Sequence, residues 1–251
     1  MSTITPIEPS DLEFDHGCFD AAAFAAQALK NWQSLASVID HTLLKPEATR
    51  VQIEHLCDEA ARYHFTCVSV NPVWAATAVR ALAGTGVAVC AAIGFPFGAS
   101  LVSTLRQEAS TLTRLGVREL DMVLPLGLLK SGNYTGVQQT ICTVATVAHR
   151  HGALLKVILE TSLLTMEEKL RASEIAIQAG VDFIKTSTGF STGGATVADV
   201  ALMRGVAGAR CGVKASGGIR TLADAKAMLE AGANRLGASE SVAIVKELGA
   251  E

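Results

Sequence analysis

The sequence predicts an α/β chain closed into a (β/α)8 barrel, on three observations. Short β-branched or apolar runs recur at a nearly even interval, patterns of helical period lie between them, and a glycine stands just ahead of most runs. The runs are VIDHTLL, TCVSVN, VAVCAAIGF, ELDMVLP, LLKVILE, FIKTSTG, GVKASGG and RLGAS. Their centres fall near residues 40, 67, 91, 121, 156, 185, 214 and 236. That spacing is about 28 residues, the length of one strand–helix unit. Eight such units with no linker-like break favour the closed barrel. An open doubly wound sheet, the competing fold, would carry a phosphate fingerprint after an early strand, and no G-x-G-x-x-G or Walker pattern occurs.

In chain order, residues 1–36 are expected to form an N-terminal tail and a packing helix, and residues 37–251 the barrel domain. Residues 1–18 are polar and weakly patterned. Residues 19–34, FDAAAFAAQALKNWQS, read as one short helix with Phe24, Ala28 and Trp32 on a single stripe. Within the barrel, Thr49-x-x-Gln52 and Thr165-x-x-Glu168 are capping boxes, and Thr221-x-x-Asp224 is a looser form of the same device. The helix after Thr221 sets Leu222, Ala225 and Leu229 on one face. Gly86, Gly116, Gly152, Gly180 and Gly232 each precede a strand, where a left-handed cap turns the chain back.

Composition excludes several classes. With 49% apolar and 18% charged residues, the chain has ample material for a core and little case for disorder. A net charge of -3 leaves no electrostatic footprint for nucleic acid or an anionic membrane. The N-terminus lacks the basic start and apolar centre of a secretory signal, and no apolar run is long enough for a membrane span, so a cytoplasmic protein is expected. Six cysteines are scattered without a C-x-x-C pair, which fits buried free thiols better than a disulfide framework. No histidine pair has metal-ligand spacing.

Alternation along the strands locates the chemistry. Leu120, Met122 and Leu124 share one face of their run, and Asp121 and Val123 the other. Leu155, Val157 and Leu159 likewise oppose Lys156, Ile158 and Glu160. Lys185 shares a face with Ser187, and Lys214 with Ser216. The apolar faces must meet the helices, so the polar faces point at the barrel axis. Asp40 and Thr42 of the first strand, and Cys67, Ser69 and Asn71 of the second, point the same way. Five charged side chains, Asp40, Asp121, Lys156, Lys185 and Lys214, thus converge on one interior, with Glu160 near the rim. A single buried lysine is usually a satisfied ion pair. Three beside two carboxylates cost several kcal/mol each unless paired, and barrel enzymes place catalytic groups at the C-terminal strand ends.

A lysine becomes a nucleophile only if its pKa falls well below about 10.4, and burial or a second cation lowers it. Lys214 follows Lys185 on the next strand at matching depth, about 4.8 Å across the sheet, and serves as that cation. A neutral Lys185 can attack a carbonyl and form an iminium, an electron sink for carbon–carbon cleavage, while Asp121 moves protons through water. Glycines at three consecutive strand ends, Gly189 with Gly193 and Gly194, Gly217 with Gly218, and Gly237 before Ser239, suit a phosphate cradle.

These residues resemble a known family. FIKTSTGF around Lys185, KASGGIRT around Lys214, ELDMV around Asp121, VIDHTLL around Asp40, LLKVILET around Lys156 and TCVSVNP around Cys67 are similar to the deoxyribose-phosphate aldolases, from Ser37 to the C-terminus. The resemblance implies a class I aldolase, a lyase of deoxyribose phosphate catabolism that reversibly splits 2-deoxy-D-ribose 5-phosphate into D-glyceraldehyde 3-phosphate and acetaldehyde. It implies no metal or organic cofactor, no partner beyond the small-molecule sugar phosphate and acetaldehyde, and a homodimer as a common assembly. By position, Lys185 is the Schiff-base lysine, Lys214 its pKa-lowering partner and Asp121 the proton-relay carboxylate. Asp40, Thr42, Cys67 and Lys156 line the pocket, and Gly189, Gly217, Gly218, Gly237 and Ser239 contact the phosphate. Three places depart from the family pattern. Phe190 stands where some members carry lysine, Glu240 stands where serine is common, and the sequence ends KELGAE where some members have a tyrosine.

Two other readings remain open on the residues. One is another lysine-dependent barrel aldolase acting on a different sugar phosphate. The other is a non-catalytic sugar-phosphate binding protein, for which Lys185→Ala would leave affinity largely intact.

Overall fold

The computed structural model describes residues 19–251. The tail expected over residues 1–18, with Cys18, lies outside them. Eight strands run β1 (Ile39–Leu43), β2 (Cys67–Val70), β3 (Ala88–Ile93), β4 (Glu119–Val123), β5 (Leu154–Ile158), β6 (Phe183–Lys185), β7 (Gly212–Ser216) and β8 (Arg235–Ala238). They pair in sequence order, all parallel, and β8 returns to β1, so the sheet closes into the expected barrel. Every predicted strand centre falls inside a strand.

The helices between them are α3 (Arg50–Tyr63), α4 (Ala75–Ala81), α5 (Val102–Arg114), α6 (Leu126–Lys130), α7 (Tyr134–Arg150), α8 (Met166–Gln178), α9 (Val197–Ala207), α10 (Leu222–Glu230) and α11 (Ser241–Glu247). The three capping boxes form, at Thr49, Thr165 and Thr221. Thr196 caps α9 by accepting from the Asp199 N–H, one half of the same device. Gly86, Gly116, Gly152, Gly180 and Gly232 all take positive φ, which glycine adopts without a Cβ clash.

Outward strand residues such as Leu120, Met122, Leu155, Val157, Ile184 and Val213 are fully buried under the helices. Each removes from water an aliphatic side chain worth about 1.5–3 kcal/mol. Among the described residues no helix is long and apolar enough to cross a membrane.

One expectation is corrected. Residues 19–34 form two helices rather than one: α1 (Ala21–Ala28) and α2 (Trp32–Ala36). The break has a local cause. Asn31 is fully extended and its side chain accepts from the Ser34 N–H, so it starts a new helix instead of continuing the old one. α1 packs on α10 and α2 on α11. Trp32 therefore meets Tyr63 edge-on, at 6.3 Å between centroids, and leaves the stripe it was expected to share with Phe24 and Ala28.

Candidate active site

The inward positions meet along the barrel axis in one buried ion-pair cluster. Asp121 lies at its centre. Its Oδ2 accepts from Lys185 Nζ at 2.7 Å and from Lys214 Nζ at 2.8 Å, and its Oδ1 accepts from Lys156 Nζ at 2.9 Å. Lys156 also reaches Glu119 at 2.5 Å and Asp40 at 3.8 Å. Lys214 donates to Asp40 Oδ2, and Arg235 Nη1 donates to Asp40 Oδ1 at 2.7 Å and to Glu119 Oε1 at 3.4 Å.

Register explains the depth of Lys156 and Cys67. Lys185 and Lys214 are direct partners across β6 and β7, as expected. Lys156 instead pairs with Phe183, two residues below Lys185, and so enters one layer deeper. Cys67 pairs with Asp40, two residues below the Thr42–Ser69 pair.

A cavity of about 790 Å³ opens above the cluster at the C-terminal strand ends. Of the predicted site residues, Lys185, Thr42, Gly189, Gly217, Gly218, Gly237 and Ser239 stand in its wall. Asp40, Cys67, Asp121, Lys156 and Lys214 do not; all five are fully buried beneath it. The expected pocket-lining places of Asp40, Cys67 and Lys156 are therefore corrected to a supporting layer. The alternation gave their face, and the register gives their height.

Three members of the cluster escaped the sequence reading: Glu119, Arg235 and Cys90. Each stands on the inward face of its strand, Glu119 two residues before Asp121 and Arg235 two before Gly237, so the same alternation reaches them. Cys90 donates its thiol to Asp121 Oδ1 at 3.1 Å.

The electrostatics separate the lysines. Burial pushes the Lys185 ammonium down, Asp121 pushes it back up, and Lys214 lowers it again, leaving it below the ordinary lysine value. For Lys214 and Lys156, burial also favours the neutral form, but two or three carboxylates outweigh it and both are raised. Asp121 is driven up by burial and further down by its three lysines, ending well below the usual carboxylate range. Asp40 ends at about 2, as Lys214, Lys156 and Arg235 overcome its burial. The cluster thus holds one lysine whose ammonium form is disfavoured and two whose ammonium form is favoured. Both expected causes, burial and Lys214, act in the expected direction, with burial the larger.

Known proteins share this sequence and fold. The model of the DeoC/LacD family aldolases matches residues 12–245. The chain belongs to the DeoC/LacD aldolases. A deoxyribose-phosphate aldolase from Lysinibacillus sphaericus is 52% identical over 216 residues, 86% of this chain and 96% of the relative. One from Geobacillus is 53% identical over 213 residues, covering 85% and 95%. Among solved structures, the deoxyribose phosphate aldolase from Aeropyrum pernix, described as a tetramer, superposes with a TM-score of 0.84 at 34% identity, covering 91% of this chain and 96% of that one.

In this DeoC/LacD aldolase the glycines do different tasks. Gly189, Gly217 and Gly218 take φ of +85°, +87° and +83° and turn their loops toward the cavity. Gly237 makes room below, since a Cβ there would stand 3.1 Å from Lys214 Cε. Gly194 leaves the expected cradle: a Cβ on it would overlap the Gly217 carbonyl, which accepts from the Ala195 N–H at 2.9 Å. Glu240 is exposed at the cavity mouth, and Phe190 stands edge-on to Phe95 at 5.2 Å. Among the described residues, Cys67, Cys90 and Glu119 bring donor atoms within 4.8 Å of one another, the spacing of a metal site. Lys156 already supplies a cation there, 2.5 Å from Glu119 and 3.5 Å from the Cys90 sulfur.

Proposed function

We propose that the chain catalyses the reversible cleavage of 2-deoxy-D-ribose 5-phosphate to D-glyceraldehyde 3-phosphate and acetaldehyde through a Schiff base on Lys185. One observation carries the assignment of the lysine. Of the three buried lysines, Lys185 alone stands in the cavity wall, and it alone is pushed toward its neutral form.

The neutral amine of Lys185 attacks the C1 aldehyde of the open-chain sugar. The carbinolamine loses water to give an iminium. Removal of the C3 hydroxyl proton then breaks the C2–C3 bond, whose electrons pass into the iminium to form an enamine, and D-glyceraldehyde 3-phosphate departs. Protonation of the enamine carbon and hydrolysis release acetaldehyde and restore the amine. Asp121, 2.7 Å from Lys185 Nζ, exchanges the protons of these steps through water. Lys214 stays charged and disfavours reprotonation of Lys185.

At the other end of the substrate, the backbone of Gly189, Gly217, Gly218, Gly237 and Ser239 receives the phosphate, with Lys45 and Arg220 as cations in the same wall. Thr42 faces the carbon chain from β1. Acetaldehyde with borohydride should add one ethyl group at Lys185, read by peptide mass spectrometry. A label on another lysine, or none, rejects the assignment.

A further inference from the structure

The buried cluster contains an odd charge. Fully ionised, it sets four cations, Lys156, Lys185, Lys214 and Arg235, against three carboxylates, Asp40, Glu119 and Asp121. One proton must leave for the group to be neutral, and contacts decide which. Lys156 meets three carboxylates, Lys214 two, Arg235 two, and Lys185 only Asp121. Deprotonating Lys185 therefore sacrifices the fewest attractions.

We propose that Glu119 and Arg235 are positioning residues for the Schiff-base lysine: by fixing the charge of the buried cluster, they make Lys185 the member that gives up its proton. The inference rests on the Schiff-base reading of Lys185. Neither residue stands in the cavity wall, so neither touches a substrate held there. They meet across the axis, Arg235 Nη1 lying 3.4 and 3.5 Å from the two Glu119 oxygens. Each sits two strands from Lys185, on β4 and β8, on opposite sides. The other titratable groups of this buried interior are Asp40 from β1, Cys67 from β2, Cys90 from β3, Asp121 from β4, Lys156 from β5 and Lys214 from β7. Glu160, above them, turns its carboxylate to Thr188 instead.

The two residues act with opposite sign. Removing the Arg235 cation leaves the cluster one charge short, and Lys185 keeps its proton to higher pH. Removing the Glu119 carboxylate leaves one positive charge too many, and Lys185 sheds its proton at lower pH. A unit charge roughly 10 Å away, at an effective dielectric constant of about 20, moves a titration by about one pH unit.

The test is the pH dependence of borohydride trapping of acetaldehyde at Lys185, followed by mass spectrometry on wild type, Arg235→Gln, Glu119→Gln and the double variant. Arg235→Gln should move the profile up by about one unit and Glu119→Gln down by about as much. The double variant, neutral again with Lys185 unprotonated, should return to within a few tenths of wild type; where one single variant does not fold, the sign of the other's shift decides the matter. Shifts of one sign in both single variants, no shift in either, or a double variant displaced by a full unit overturns the proposal. A wild type unlabelled at Lys185 overturns the Schiff-base reading instead.

Discussion

Lys185 and Lys214 hold the same oxygen atom, Oδ2 of Asp121, from adjacent strands in direct register. The shared carboxylate keeps the second cation beside the first without cancelling it, because Lys214 is also tied to Asp40. Replacing Lys214 with methionine removes a cation at close range. The Lys185 titration should rise, so the acid limb of the kcat/KM profile and of borohydride trapping should move up by one unit or more. A profile that stays in place with activity retained would count against the paired-lysine account. The same substitution leaves Asp40 and Asp121 short of a partner, and urea denaturation should report about 3–5 kcal/mol of lost stability.

Gly237→Ala tests the space beneath the cavity. Gly237 has no positive φ, so the backbone tolerates a side chain, but the new Cβ would lie 3.0 Å from Ser216 Cβ and 3.1 Å from Lys214 Cε. Of the two, the far end of the Lys214 side chain gives way. Overpacking of this kind costs about 1–3 kcal/mol, while misplacing a group beside the chemistry costs about 100-fold in kcat. The expected result is a folded protein with kcat reduced far more than its melting temperature implies. Equal loss on both measures would show that the position matters only for packing.

Acid stability should depend on the supporting carboxylates. A carboxyl whose folded pKa is depressed stabilises the fold above its unfolded pKa and loses that contribution as pH falls through the folded value. For Asp40, which drops from 3.8 to about 2, the window lies between those values. The contribution at neutral pH is about 2 kcal/mol. Asp40→Asn should be less stable than wild type at pH 7, and its stability should fall less steeply between pH 4 and pH 2. Parallel curves for the two proteins would refute this assignment of the acid sensitivity.

The loop after β6 is anchored by Glu160. Its carboxylate accepts from the Thr188 N–H at 3.3 Å and from the Thr188 hydroxyl, whose oxygen in turn accepts from the Phe190 N–H at 3.0 Å. Glu160→Gln keeps the shape and removes the charge behind those bonds, which halves their strength at most. Because Gly189 lies in this loop and in the cavity wall, KM for the phosphorylated substrate should rise several-fold with kcat within about two-fold. A fall in kcat at unchanged KM would place Glu160 in the chemistry instead.

Phe190→Lys adds a cation to the cavity wall in place of a half-exposed ring packed on Phe95. KM for the sugar phosphate should fall several-fold at low ionic strength, and the gain should shrink as salt approaches 1 M. Salt-independent kinetics identical to wild type would mean that the side chain points away from the phosphate.

Much of this site was legible in the sequence because alternation is a strict rule. Side chains two apart on a strand share a face, so Asp121, Lys185 and Lys214 declared their direction without a structure. What alternation leaves out is height. Lys156 and Cys67 have the predicted direction yet sit a layer below the cavity, because the stagger between neighbouring strands comes from closing the barrel. Glu119 and Arg235 open their strands, where a charged residue reads most simply as a solvated end; alternation gives their inward face, but their contacts with Lys156 and Asp40 show that they are part of the buried cluster. The division of residues 19–34 into two helices depended on Asn31, whose side chain competes with the helix backbone wherever the chain lets it.

The contact between Gly194 and Gly217 has its own consequence. The Gly217 carbonyl lies against Gly194 so closely that no side chain fits between, and it takes the Ala195 N–H as well. The two segments it joins follow different strands, yet they are riveted into one plate. A side chain added at Gly194 would press on the Gly217 carbonyl and so displace both loops at once.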